Sequence, residues 1–290
     1  MTIVRLGLIG DNIAASKAPD LHRFAGRLCG LNVTYDLLVP AALRLSFEEL
    51  FARCASGGYR GLNITYPYKE RVTGQVTVAD ADVQAIGACN TVVFDGAAAG
   101  MNTDYTGFVA AFRNTFGDAR PGVVAMAGAG GVGRAIGFAL AQLGATALRL
   151  FDVDAAKAEA LRTALMRTHR GVRIDVVHGI DDATRGADGL VNSTPLGMDR
   201  IGGTAFPPSA FARQRWAFDA VYTPIETEFV LAARAAGLSV MTGYELYFHQ
   251  GIDAFRIFTG REVDAAALRA ALQRPVGAGM TPKATRNTCQ

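Results

Sequence analysis

Apolar residues in this chain fall in short blocks, and between those blocks they recur at helical spacing. A brief apolar run bounded by glycine or proline predicts a buried strand, and apolar positions at i, i+3 and i+4 predict a helix with one face inward. On this basis strands are expected at 3–9, 33–39 and 61–65, with helices at 19–30 and 45–54 between them. Pro19 stands in the first turn of the first helix and Gly30 at its end, while Gly57-Gly58 stops the second. Pro67 forces a break after the third strand. Asp95-Gly96 separates a strand at 91–94 from a strand-like piece near Gly100, the pattern of a hairpin. A helix at 104–116 leads into a longer alternation, with strands at 122–126, 147–151, 172–177, 188–192, 216–221 and 238–241. Helices are expected among them at 135–143, 154–168 and 226–236, and two more, at 244–259 and 264–272, finish the pattern. Strands alternating with helices define an α/β fold class. From Pro275 onward the chain is rich in Gly, Pro, Thr and Lys and is expected to fray.

The junction between the strand at 122–126 and the helix after it carries chemistry. It reads Met126-Ala-Gly-Ala-Gly-Gly-Val-Gly-Arg134, and so contains Gly128-x-Gly130-x-x-Gly133. The next strand ends on Asp152. This strand–turn–helix–strand–acid context is what a dinucleotide fingerprint requires. The first glycine permits the tight turn, the second lets the backbone approach a pyrophosphate, and the third lets helix and sheet pack closely. The helix N-terminus offers free N–H groups and partial positive charge to the phosphates. The motif opens only at Gly128, so an independent domain is expected ahead of the nucleotide domain.

Length and composition agree with two domains. The chain has 290 residues, half of them hydrophobic, which is ample material for two cores. The formal charge is +3 and the Lys and Arg residues are scattered, which argues against a nucleic-acid partner. No apolar run reaches the roughly 18 residues of a membrane span, and Met1-Thr-Ile-Val-Arg-Leu-Gly reads as a strand rather than a signal peptide. A cytoplasmic location is expected. The cysteines Cys29, Cys54, Cys89 and Cys289 show no metal-ligand spacing and read as free thiols. His22, His169, His178 and His249 form no ligand-spaced cluster either, so no metal is expected.

Polar clusters punctuate the strand ends. The first half contains Gly61-Leu-Asn63-Ile-Thr65-Tyr-Pro67-Tyr-Lys69, Gly87-Ala-Cys-Asn90-Thr91 and Gly100-Met-Asn102-Thr103-Asp104. The second contains Val191-Asn-Ser-Thr-Pro-Leu-Gly-Met198 and Asp219-Ala-Val-Tyr222-Thr-Pro224, and the penultimate helix carries Gly243-x-x-Leu246-x-x-x-Gln250. Ligands bind at strand ends of this kind in open α/β sheets. Taken singly, Lys69 reads as a solvated lysine, Asp104 as a helix N-cap, Asn63 and Asn90 as turn residues, and Gln250 as an exposed helix residue.

Taken in order, from about residue 7 to 272, the clusters resemble the shikimate and quinate dehydrogenases. The resemblance implies an α/β substrate-binding domain over 1–105, a Rossmann-like NAD-binding domain over 106–242, C-terminal helices over 243–275 that return to the first domain, and a tail over 276–290. It implies a catalytic lysine at Lys69 with Asp104 as its partner. Thr65, Asn90 and Gln250 match substrate hydroxyl contacts, Ser16 matches a carboxylate contact, and Tyr222 a tyrosine facing the substrate. Cofactor contacts are expected from the loop Gly128, Ala129, Gly130, Gly131, Val132 and Gly133, and from Asp152 and Val153 at the adenosine end. Ser193, Thr194, Met198 and Val221 complete the cofactor side, with Gly243 and Leu246 from the C-terminal helix, where Leu246 stands in place of a methionine beside the nicotinamide. Alcohol oxidation needs a base for the O–H proton as hydride leaves carbon. A lysine serves when burial lowers its pKa, while a nearby carboxylate limits that fall and orients it.

Two departures bear on specificity. Ser16-Lys17-Ala18-Pro19 places alanine where the family has a second carboxylate-binding serine. Shikimate binding is expected to weaken unless Tyr35 or another donor compensates. Phe151-Asp152-Val153-Asp154 replaces the Asn-Arg-Thr-like segment of NADP-dependent relatives, and no arginine follows until Arg162. A carboxylate at Asp152 accepts ribose hydroxyls and repels a 2′-phosphate, so NAD is the expected cofactor, while Asp154 is read as a helix cap. The implied reaction is NAD-dependent oxidation of a hydroxyl on quinate or shikimate to the 3-keto acid, by a monomer or homodimer. Three alternatives stay open: an NADP-linked biosynthetic shikimate dehydrogenase, a dehydrogenase for a related polyol acid such as aminoshikimate, and a non-catalytic ligand sensor.

Overall fold

The computed structural model describes residues 3–273. The tail over 276–290 and Cys289 therefore lie outside the described residues, as does Pro275. The first half opens with β1 (Ile3–Ile9), α1 (Ala18–Leu28), β2 (Asn32–Leu38), α2 (Pro40–Leu43), α3 (Phe47–Ser56) and β3 (Gly61–Ile64). A 3-10 turn at Arg71–Gln75, α4 (Ala81–Ile86), β4 (Thr91–Asp95) and β5 (Ala97–Met101) follow. These strands form a mixed five-stranded sheet in the order β2-β1-β3-β4-β5. β1 runs parallel to both β2 and β3, whereas β4 and β5 form the expected hairpin on the far edge.

After α5 (Thr103–Phe116) come β6 (Val123–Ala127), α6 (Gly131–Gln142), β7 (Ala147–Phe151), α7 (Ala155–Thr168), β8 (Arg173–Val176), α8 (Ile180–Thr184) and β9 (Gly189–Asn192). A 3-10 turn at Pro208–Ala210, β10 (Trp216–Asp219), α9 (Glu228–Ala235) and β11 (Ser239–Met241) complete a six-stranded, all-parallel sheet. Its order is β11-β10-β9-β6-β7-β8, so the strand order reverses between β6 and β9. In the first sheet the corresponding reversal lies between β1 and β3. A crevice opens outside the carboxyl ends of strands at such a switch point, and this molecule has two.

The last helices, α10 (Gly243–Thr259) and α11 (Ala265–Leu272), belong to the first sheet's core rather than the second's. Phe248, Phe255, Phe258 and Leu268 pack with Leu6, Leu8, Leu21 and Tyr35. α10 also lies along α5, and Gly107 makes that possible. A Cβ there would come within 2.6 Å of the Gln250 backbone.

Sequence and structure differ where helices are short or begin on glycine. α2, α4 and α8 have too few turns to show periodicity. α4 is fixed instead by local chemistry: the Asp80 carboxylate accepts the Asp82 and Val83 N–H groups, and Gly87 ends the helix at φ 70°. α6 begins at Gly131, not at 135, because glycines of low helix propensity form its first turn. β10 ends at Asp219, short of 221. Among the described residues no helix is long and apolar enough to cross a membrane, and Cys29, Cys54 and Cys89 are free thiols.

Candidate active site

The first crevice is floored by side chains. Thr65 follows β3 directly, and its N–H donates to the Ile9 carbonyl at 2.9 Å, which binds the ends of β1 and β3 together. Lys69 lies in the turn beyond Pro67, where its carbonyl accepts the Cys89 N–H at 2.9 Å. Its Nζ stands 2.6 Å from Asp104 Oδ2, with side-chain exposures of 19% and 11%. Asp104 occupies the first turn of α5, where the helix dipole favours a carboxylate. It is not the N-cap: Asn102 takes that role, accepting the Tyr105 N–H at 3.1 Å. The Asp104 carboxylate is thereby free to face Lys69.

Asn90 is buried, and its Oδ1 accepts the Thr103 N–H at 2.6 Å and the Thr91 hydroxyl at 3.0 Å. Its Nδ2 has no hydrogen-bond partner among the described residues. Behind it, Asn63 Nδ2 donates to Thr91 Oγ1 at 3.1 Å, and the Tyr35 hydroxyl donates to Asn63 Oδ1 at 2.9 Å. Asn63 is therefore a buried residue of β3 rather than a turn residue. Tyr35, 2% exposed and bonded to Asn63, is not available as the substitute carboxylate donor that the sequence left open. Next to it His22 stacks on the Tyr35 ring at 4.9 Å, and burial holds its imidazole down to about 3, so it is neutral. Gln250 closes the crevice from α10. Its Nε2 donates to the Tyr247 carbonyl at 3.1 Å, and its Oε1 lies 3.3 Å from the Thr103 hydroxyl.

Ser16 lies in the loop after β1 and Ala18 opens α1, and the Ala18 N–H donates to Ser16 Oγ at 3.3 Å. Tyr222, 42% exposed, stacks on Tyr247 with ring centroids 5.5 Å apart. Partial burial, with the Asp104 carboxylate in its field, raises its phenol above the ordinary value.

The second crevice is made mostly of backbone. Gly128 adopts φ +95°, and a Cβ there would approach the Ser193 carbonyl within 2.8 Å. At Gly133 a Cβ would collide with the Gly128 carbonyl. With α6 beginning at Gly131, the N–H groups of Gly131, Val132 and Gly133 belong to its first turn and have no intrahelical acceptor. Asp152 follows β7, and its carboxylate accepts Ala129 N–H at 2.7 Å and Asp154 N–H at 2.9 Å, a posture that leaves lone pairs for ribose hydroxyls. Asp154 caps α7, and Val153 is 95% exposed. These residues fit an adenine dinucleotide: an N-terminus for its pyrophosphate, a cradle that a Cβ would fill, and an acid for its ribose.

Ser193 and Thr194 sit beside that loop with their hydroxyls turned to protein. Ser193 Oγ lies 2.8 Å from the carbonyls of both Ala127 and Gly128, and Thr194 Oγ1 donates to Asn192 Oδ1 at 2.6 Å. Both residues remain partly exposed beside the loop. The hub below them is a buried trio that the motifs did not signal. Asn192 Nδ2 donates to Asp219 Oδ1 at 2.9 Å, and the Thr227 hydroxyl donates to Asp219 Oδ2 at 2.5 Å. Burial pushes the Asp219 carboxyl up. Val221 and Leu246 are buried, Met198 is exposed, and Gly243 lets α10 start within contact of the Ala220 and Val221 carbonyls.

α4 joins the two halves, and nothing in its pattern announced this. Arg134 of α6 donates to the Ile86 and Ala85 carbonyls at 2.8 and 3.2 Å. At the other end, Asp82 accepts the Tyr105 hydroxyl at 2.8 Å and pairs with His169 Nε2 at 3.0 Å.

Two crevices, one holding a lysine–carboxylate pair and the other shaped for a dinucleotide, define the class of a two-domain dehydrogenase. Residues 8–92 match the family model described as the shikimate dehydrogenase substrate binding domain. The chain is 40% identical over 277 residues to the quinate/shikimate dehydrogenase (NAD(+)) of Corynebacterium efficiens, covering 92% of this chain and 96% of that one. It is 39% identical over 280 residues to the shikimate dehydrogenase (NADP(+)) of Streptomyces avermitilis, covering 94% and 96%. Quinate dehydrogenase from Corynebacterium glutamicum, solved in complex with NAD, superposes with a TM-score of 0.88 at 36% identity, over 93% of this chain and 99% of that one. The chain belongs to the shikimate/quinate dehydrogenase family.

Proposed function

We propose that this protein is an NAD-dependent quinate/shikimate dehydrogenase that interconverts a ring hydroxyl of the acid with the 3-keto form. The observation that carries the reading is the Lys69–Asp104 pair, 2.6 Å apart and largely buried in the first crevice. Relatives of nearly equal identity use NAD or NADP, so the cofactor choice rests on Asp152 and the missing arginine. Residues 1–105 form the substrate unit, 106–242 the cofactor unit, and 243–275 the helices that close onto the first. The enzyme works in the cytoplasm as a monomer or homodimer.

In this reading Thr65, Asn90 through its unpartnered Nδ2, and Gln250 hold ring hydroxyls, with Ser16 on the carboxylate and Tyr222 over the pocket. Lys69 Nζ removes the hydroxyl proton as the carbon gives up hydride, and returns it in the reverse direction. Asp104 orients the amine and stabilises the ammonium that forms. The α6 N-terminus and the Gly128–Gly133 loop hold the pyrophosphate, and Asp152 the ribose. NAD, when bound, supplies the hydride acceptor. The test is to offer purified protein quinate, shikimate and a panel of polyol acids, each with NAD and with NADP, following reduced cofactor by absorbance. NADH formation with quinate or shikimate is expected. Turnover confined to another acid, or equal use of NADP, would overturn the corresponding part of the reading.

A further inference from the structure

The carboxylate subsite is short of a donor. Ser16 Oγ accepts the Ala18 N–H and has a single O–H left to donate, Ala18 contributes no hydroxyl, and Tyr35 is buried against Asn63. A hydroxyl from another element nevertheless reaches the Ser16–Ala18 end of this loop. Tyr247 of α10 donates to the Lys17 carbonyl at 2.9 Å, between Ser16 and Ala18. Its ring stacks on Tyr222, and its position three residues before Gln250 puts both side chains on one face of the helix.

We propose that Tyr247 supplies the carboxylate-binding hydroxyl that Ala18 lacks, and so sets the enzyme's affinity for its acid substrate; this rests on the quinate/shikimate reading given above. The hydroxyl turns from the Lys17 carbonyl to the incoming carboxylate. A hydrogen bond to an ionised acceptor is about twice as strong as one to a neutral carbonyl. The turn leaves nothing orphaned, because the Lys17 carbonyl also accepts the Leu21 N–H at 3.2 Å and Lys17 is exposed. Burial, with the Tyr222 and Tyr244 phenols and the Asp20 carboxylate near, raises the Tyr247 phenol, which keeps its proton in place for donation at neutral pH.

Tyr247→Phe removes the hydroxyl and keeps the stacking ring. It is expected to raise KM for quinate or shikimate about tenfold, with a smaller change in kcat and an unchanged KM for NAD. Adding Ala18→Ser to Tyr247→Phe is expected to recover most of that loss, while Ala18→Ser alone lowers KM by less. The uncharged carboxamide of the same acid separates binding from loop positioning. Its KM is expected to be the same for the wild type and Tyr247→Phe. An unchanged KM for the acid in the variant would overturn the proposal, as would an equal rise for acid and carboxamide, which would make Tyr247 a loop support. A wild-type protein inert toward both acids would remove the substrate reading itself, and Tyr247's role with it.

Discussion

The two crevices solve the same problem, holding a polar molecule at a sheet's switch point, with different materials. In the proposed reading the substrate crevice draws on side chains of Ser16, Thr65, Lys69, Asn90, Asp104 and Gln250; Lys69 pairs directly with Asp104, and Asn90 and Gln250 are linked through Thr91 and Thr103. The cofactor crevice uses backbone N–H groups and the absence of side chains, with Asp152 as its main charged contribution. A side-chain site depends on which atoms are present and on their hydrogen-bonded support. A backbone site depends on what is kept out. The two should therefore fail differently.

Lys69→Ala is the sharpest break on the substrate side. It is expected to lower kcat by about two to four orders of magnitude and to leave NAD affinity nearly intact. Steady-state kinetics with an independent NAD titration checks both halves of the statement, and near-native turnover would remove Lys69 from the chemistry. Gly128→Ala is the converse. Strain at φ +95°, added to the approach on Ser193, is expected to weaken NAD binding by about ten- to a hundredfold. The same titration reads it, with substrate affinity unmoved; a loss of both affinities would mean that the variant damages the fold rather than the crevice.

Replacing Asp152 with Ala and Val153 with Arg tests the main charged element of the cofactor side. The ratio of kcat/KM for NAD over NADP is expected to fall about tenfold or more, and comparable use of the two cofactors by the wild type would make Asp152 irrelevant to the choice. The smallest effect is expected from Tyr35→Phe, which touches no ligand. It leaves the buried Asn63 Oδ1 without its donor, a cost of about 1–3 kcal/mol in stability. Thermal unfolding and kinetics together check that the loss appears as stability, with only a few-fold change in KM. A kinetic loss with no loss of stability would show that the network behind Asn90 tunes the pocket directly.

The same contrast explains what could be read in the sequence. Gly128, Gly130 and Gly133 fall within six residues, Gly128 and Gly133 stand where the structure leaves no room for a Cβ, and Asp152 ends the next strand. The backbone site is accordingly visible as a motif. The side-chain site is assembled from positions spread between 16 and 250, and only the family resemblance gathered them. Asn102 in place of Asp104 as the N-cap could not be decided from residue types, since both cap well. The pairing of Tyr35 with Asn63 and the trio of Asn192, Asp219 and Thr227 were not legible at all. They are tertiary hydrogen bonds between distant strands and loops, with no local period to reveal them. The bridge through α4 was hidden for a similar reason: Arg134 donates to carbonyls, which every residue possesses.

α10 has one more property, that of a ruler. Gly243, Leu246, Tyr247 and Gln250 are spaced along a single unbroken helix, whose rise of about 1.5 Å per residue fixes the interval between whatever each of them touches. Exchanging a side chain leaves the interval intact. Inserting one residue between Leu246 and Gln250 would advance everything after it by that rise and turn it by about 100°, carrying Gln250 away from Thr103 and a bulkier surface onto Gly107. Diversification of this pocket is thus free in residue type along the helix and closed to change of length, except beyond its ends at Thr242 and Gly260.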